Sequence, residues 1–123
     1  MKVCDPHFHL WNINQRPNPN LGPGVNKNLP VYQAIDYAGD MSRLPTSLEL
    51  TSGLHVETVV GQMSAGFPLD TVEETRWICN QLGPGEASFP FGVVGYVHLA
   101  RDSAESEQML AKHQEAAKHF DPQ

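Results

Sequence analysis

The chain has 123 residues, with 14 acidic and 8 basic side chains and a net charge of −6. That length is one ordinary domain, and the acidic balance disfavours a phosphate-backbone partner, so no nucleic-acid role is expected. The 40% hydrophobic content argues against disorder, while no apolar run approaches the roughly 18 residues of a membrane helix.

Residues 2–10 read as a short strand carrying Val3, Phe8 and Leu10, with Pro6 at a position that favours a sheet edge. The first ten residues lack the apolar core of a signal peptide, so a cytoplasmic location without membrane association is expected. Cys4 and Cys79 are expected to be free thiols, Cys4 as a small buried hydrophobe. Residues 12–30 hold six Asn, four Pro and two Gly, a composition of irregular chain, and form one long loop. Residues 36–50 are ambiguous: Asp40 could cap a short helix that Pro45 would interrupt. Residues 53–61 predict a second strand from Val56, Val59 and Val60 between two glycines.

Asp70 and Glu73 then form a capping pair ahead of Val72, Thr75, Ile78 and Leu82 at helical spacing. Residues 91–100 predict a buried parallel strand, almost wholly apolar. Asp102 and Glu105 cap a last helix whose apolar face is expected at Leu110, His113, Ala117 and Phe120. Alternation of strands and helices predicts an α/β fold with a parallel sheet.

The sharpest chemical feature is His7 and His9. In a strand, residues i and i+2 share a face, so the two imidazoles can converge on one divalent ion or on one carbonyl oxygen. Asp5 shares that face in an ideal strand. Two ligands alone are fewer than the three that hold a catalytic zinc, so weak binding is expected, with His55 a conceivable third ligand. Trp11 and Glu57 are candidates for the wall and polar rim of a substrate pocket. His98 and His113 read more simply as packed or surface histidines, and Arg76 and Trp77 as helix packing residues.

Asp5, His7, His9 and Trp11 match the D-x-H-x-H-x-W opening of amidohydrolase-superfamily barrels. His55-Val56-Glu57, Glu74-Thr75-Arg76-Trp77 and Val93–Ala100 with Arg101-Asp102 follow in matching order. From about residue 3 to about residue 117, the chain resembles the amidohydrolase-related, lactonase-like branch of that superfamily. The resemblance implies the N-terminal (β/α)3 portion of a TIM (β/α)8 barrel, a partial domain spanning 1–123. It implies a hydrolase in which activated water attacks the carbonyl of a lactone, ester or amide. His7 and His9 would bind a divalent metal, zinc being the expected ion, or polarise the carbonyl in metal-independent lactonase chemistry. Trp11 and Glu57 would be substrate-binding.

The sequence departs from the family pattern at Asn12, where an acidic residue is common, and at His98, where many relatives carry Asp. The general base of the family is an Asp on the last strand, outside these three units. Little activity is therefore expected from this chain alone. A three-stranded piece also exposes sheet edges and an apolar face, which predicts self-association or pairing with a complementing barrel fragment. A non-catalytic remnant acting as an interaction or weak metal-binding module is the alternative.

Overall fold

A computed structural model describes residues 1–15, 31–58, 63–64, 67–68, 71–83, 90–97, 99 and 102–118. Three strands, β1 (Lys2–Phe8), β2 (Glu49–Val56) and β5 (Phe91–Val94), form one parallel sheet in the order β1-β2-β5. Helix α1 (Ala34–Met41) lies between β1 and β2 in sequence, α2 (Thr71–Leu82) between β2 and β5, and α3 (Ser103–Ala117) follows. A two-residue antiparallel pair, β3 (Met63–Ser64) with β4 (Phe67–Pro68), precedes α2. The α/β alternation expected from the sequence is thus present. Among the described residues no helix is long and apolar enough to cross a membrane.

The helices form where local chemistry supports them. At α3 the Asp102 carboxylate accepts the Glu105 N–H at 2.9 Å, as the capping pair predicts. On α2 the expected face, Val72, Thr75, Ile78 and Leu82, is buried; Asp70, its expected cap, lies outside the described residues. α1 differs from expectation. Its N-cap is Gln33, whose N–H donates to Asp36 Oδ2 at 2.8 Å, so the helix begins six residues before Asp40. Asp40 instead accepts a hydrogen bond from Tyr32 Oη at 2.6 Å and pairs with Arg43.

β2 starts four residues earlier than expected, because pairing with β1 draws Glu49–Ser52 into the ladder. β1 stops at Phe8 rather than near Leu10, and β5 stops at Val94.

One face of the sheet carries the core. Phe8 and Leu10 pack with Ala34 and Tyr37 of α1 and with Ile78 and Leu82 of α2. Burying one such large apolar side chain is worth about 1.5–3 kcal/mol, so this cluster is what fixes α1 and α2 on the sheet. The other face is open: Leu54 is 40% and Val94 47% exposed, and Cys4 is exposed as well. The expectation of a buried Cys4 fails because no described residue covers that face. On α3 the buried positions are His113 and Ala116. Of the expected face, His113 is buried against α2 while Leu110 remains 51% exposed, and Phe120 lies outside the described residues.

Candidate functional site

The histidine pair owes its geometry to a break in the β1 ladder. Asp5 pairs with Gly53 and Phe8 with His55, so Pro6 and His7 together stand opposite the single residue Leu54. Proline brings no N–H to the ladder, and an extra residue at such a point reverses the alternation of faces. Asp5 and Phe8 consequently both turn toward α1. Tyr37 Oη donates to Asp5 Oδ2 at 3.0 Å, and the Phe8 and Tyr37 rings stack at 4.5 Å. Asp5 therefore does not share the face of His7 and His9, as an unbroken strand would require. Its other oxygen, Oδ1, accepts the His7 N–H at 3.1 Å.

His7 is exposed and His9 half-buried, and their Nε2 atoms lie 3.1 Å apart with ring centres at 4.8 Å. His9 Nδ1 lies 2.7 Å from the Val56 carbonyl oxygen. That oxygen can only accept, so Nδ1 carries the proton and Nε2 presents a lone pair. Metal–nitrogen bonds of about 2.0–2.1 Å meeting at 90–109° place two ligand nitrogens about 2.9–3.4 Å apart. The observed spacing fits two ligands of one ion. It equally fits a His7 N–H donating to His9, the arrangement that could turn to a carbonyl oxygen. Among the described residues no group of three or more His, Cys, Asp or Glu is gathered to hold an ion.

His55 does not complete the pair. It is fully buried, its ring 5.6 Å from Phe8 and 6.4 Å from His9, with Nε2 4.0 Å from Glu74 Oε1 of α2. Rings sharing an ion as His7 and His9 could have their centres about 5 Å apart. Its place opposite Phe8 turns it into the helix layer, where neither ring nitrogen has a hydrogen-bond partner among the described residues. Burial, aided by the neighbouring His9, drives its pKa from 6.5 to about 3, so the ring is neutral.

Glu57, just beyond β2, donates its N–H to the Val94 carbonyl at 2.9 Å, and its carboxylate accepts the Tyr96 N–H. It ties the exit of β2 to that of β5. Trp11 exchanges two backbone hydrogen bonds with Tyr32, at 2.8 and 2.9 Å, and their rings lie 5.5 Å apart. This bridge joins the described ends of the Asn/Pro-rich stretch, of which residues 16–30 lie outside the described residues, as does His98. Burial and the bond to Asp40 push the Tyr32 hydroxyl up to about 12, and burial pushes the Cys79 thiol up to about 11. Neither is a nucleophile at neutral pH.

Sequence reasoning missed the buried cluster around His113. Its Nδ1 lies 2.8 Å from Thr75 Oγ1, and its Nε2 3.1 Å from Thr71 Oγ1 and 3.2 Å from the Tyr96 carbonyl. A groove of about 210 Å³ runs beside it, between Val93, Val97, Leu110 and Ala117.

No family model matches the chain, and no solved structure matches it significantly. It is similar to the uncharacterized protein y4mH of Sinorhizobium fredii (strain NBRC 101917 / NGR234), 27% identical over 108 residues. That alignment covers 80% of this chain and 32% of the relative, so the chain spans about a third of the length of the curated relative it matches.

Proposed function

We propose that this chain carries the first-strand corner of a hydrolase site of the amidohydrolase-related, lactonase-like kind. The observation that carries the reading is the histidine pair, with its 3.1 Å spacing and His9 oriented through Nδ1 by Val56. His7 and His9 would hold a divalent ion, zinc by ligand type, through their Nε2 atoms. Such an ion polarises a carbonyl and acidifies bound water. Without one, a His7 N–H would donate to the carbonyl oxygen of a lactone, ester or amide, where negative charge develops as water adds, and His9, whose Nδ1 proton is held by Val56, would donate from Nε2 only as the imidazolium. Trp11 and Glu57 stand at the neighbouring strand ends and would border the substrate. The base that deprotonates the water belongs to later strands in enzymes of this kind.

Further support comes from the sheet. Parallel strands in sequence order, with helices on one face and exposed Leu54 and Val94 on the other, suit the opening three units of a (β/α)8 barrel. The same open face supports a second reading, a non-catalytic module that pairs with a complementing fragment or a second copy.

Zinc titration by calorimetry tests the first. Weak, one-to-one binding lost in His7→Ala and in His9→Ala is expected, with no hydrolysis of a lactone panel by this chain alone. Zinc binding that survives both substitutions would overturn it. Association seen by sedimentation without any zinc binding would favour the second reading.

A further inference from the structure

The aim of the histidine pair is set from outside the pair. His7 lies in the break of β1, where no ladder bond from Pro6 can hold the backbone. What holds it is the Asp5 carboxylate, bonded through Oδ1 to the His7 N–H. That carboxylate is itself fixed by α1, through the 3.0 Å bond from Tyr37 Oη to Oδ2. Tyr37 is almost wholly buried and its ring is stacked on Phe8, so the hydroxyl is a fixed donor. Burial and the Asp5 charge both raise the Tyr37 pKa, which keeps the proton on the hydroxyl at any physiological pH.

We infer that Tyr37 is a positioning residue: through Asp5 it locks the backbone of His7 so that its ring meets that of His9. The inference rests on the reading in which the two histidines act together. The chain of contacts runs from the α1 core to Oη, to the carboxylate, to the His7 amide, and so to the ring that faces His9. Removing the hydroxyl leaves the ring stack and its burial in place. It frees one carboxylate oxygen and lets the Pro6-His7 segment swing. A side chain held by one bond fewer loses orientation rather than fold, and a net hydrogen bond of ordinary strength converts to about a 3- to 10-fold change in affinity.

The test compares wild type with Tyr37→Phe, Asp5→Ala and the double variant, all kept metal-free for the first measurement. Ring ¹⁵N shifts report the contact between the His7 and His9 Nε2 atoms. They are expected to move toward those of free imidazoles in all three variants, and the double variant is expected to match Asp5→Ala alone. A purely structural role would lower the melting temperature of Tyr37→Phe and leave the ring shifts unmoved, which would overturn the inference. Effects of the two substitutions that simply add would overturn it as well. Cobalt(II) titration of the same proteins then reads the site: Tyr37→Phe is expected to bind about 3- to 10-fold more weakly. A wild type that binds no cobalt(II) overturns the metal reading of the pair, while the metal-free shifts still decide the role of Tyr37.

Discussion

Two of the described histidines, His113 and His55, are buried, and they are buried in opposite ways. His113 on α3 has both ring nitrogens bonded. The Tyr96 carbonyl can only accept, so Nε2 carries the proton and Nδ1 accepts from the Thr75 hydroxyl. One ring thus joins α3 to α2 and to the chain that leaves β5. His55 on β2 is more deeply buried, and both its nitrogens lack partners among the described residues. The first histidine is a joint between elements. The second is packed beside Phe8, His9 and Glu74 with no bond to any of them, and it stays buried by remaining neutral. Burial of a polar ring is thus no sign of what it contributes, which depends on whether its nitrogens are satisfied.

The largest effect should come from the joint. His113→Ala removes the ring bonds, takes from the Thr75 hydroxyl its partner while Thr71 keeps its bond to the Tyr96 carbonyl, and opens a void, which together should cost about 3 kcal/mol. Urea unfolding should show a lower midpoint with an unchanged slope. Gly95→Ala probes the same joint from the other side, because an added Cβ would lie 2.9 Å from the His113 ring. Overpacking of that kind costs about 1–3 kcal/mol. A midpoint that stays put in both variants would show that α3 is held by something other than this ring.

How far the sequence reveals these features differs along the chain. The α2 face and the Asp102 cap are local patterns of spacing, and both appear as read. His7 and His9 are legible for the same reason, being two residues apart. What escapes depends on distant partners. The His113 ring bonds residues 38 and 42 positions away, which no local period reports. The side of the sheet that His55 takes depends on its register against a broken β1, and that break also separates Asp5 from the pair. α1 escapes because Gln33 is a poor cap in its own right, and the bond that starts the helix comes from Asp36 reaching back.

Acid should separate the two histidines next. His55 has a folded pKa of about 3 against an ordinary 6.5, so the fold favours the neutral ring. The stability this protects is fully present above about pH 6.5 and is lost as pH falls toward 3. The loss for one such group is at most about 1.4 kcal/mol per pH unit. Carboxylates titrate in the same window, so the informative quantity is the difference between wild type and His55→Leu, measured metal-free by urea unfolding from pH 7 to pH 4. Wild type should lose stability faster than the variant. Parallel curves would mean that His55 meets solvent or a bonding partner in the folded protein.

The smallest expected effect has the less usual sign. Above pH 7, where His55 is neutral in both folded and unfolded chains, its proton contributes nothing, and what remains is the desolvation of two unpartnered nitrogens. A buried polar group without a bond costs about 1–3 kcal/mol, whereas an apolar side chain of similar volume does not. His55→Leu at pH 8 should therefore stabilise the fold by about 1 kcal/mol, once imperfect packing against Phe8 and Glu74 offsets part of the gain. The matching His113→Leu should destabilise it, because there the partners are real. If both leucine variants are less stable than wild type, His55 has a bonding partner in solution, and its position beside His9 would then give the ring a part in holding the site.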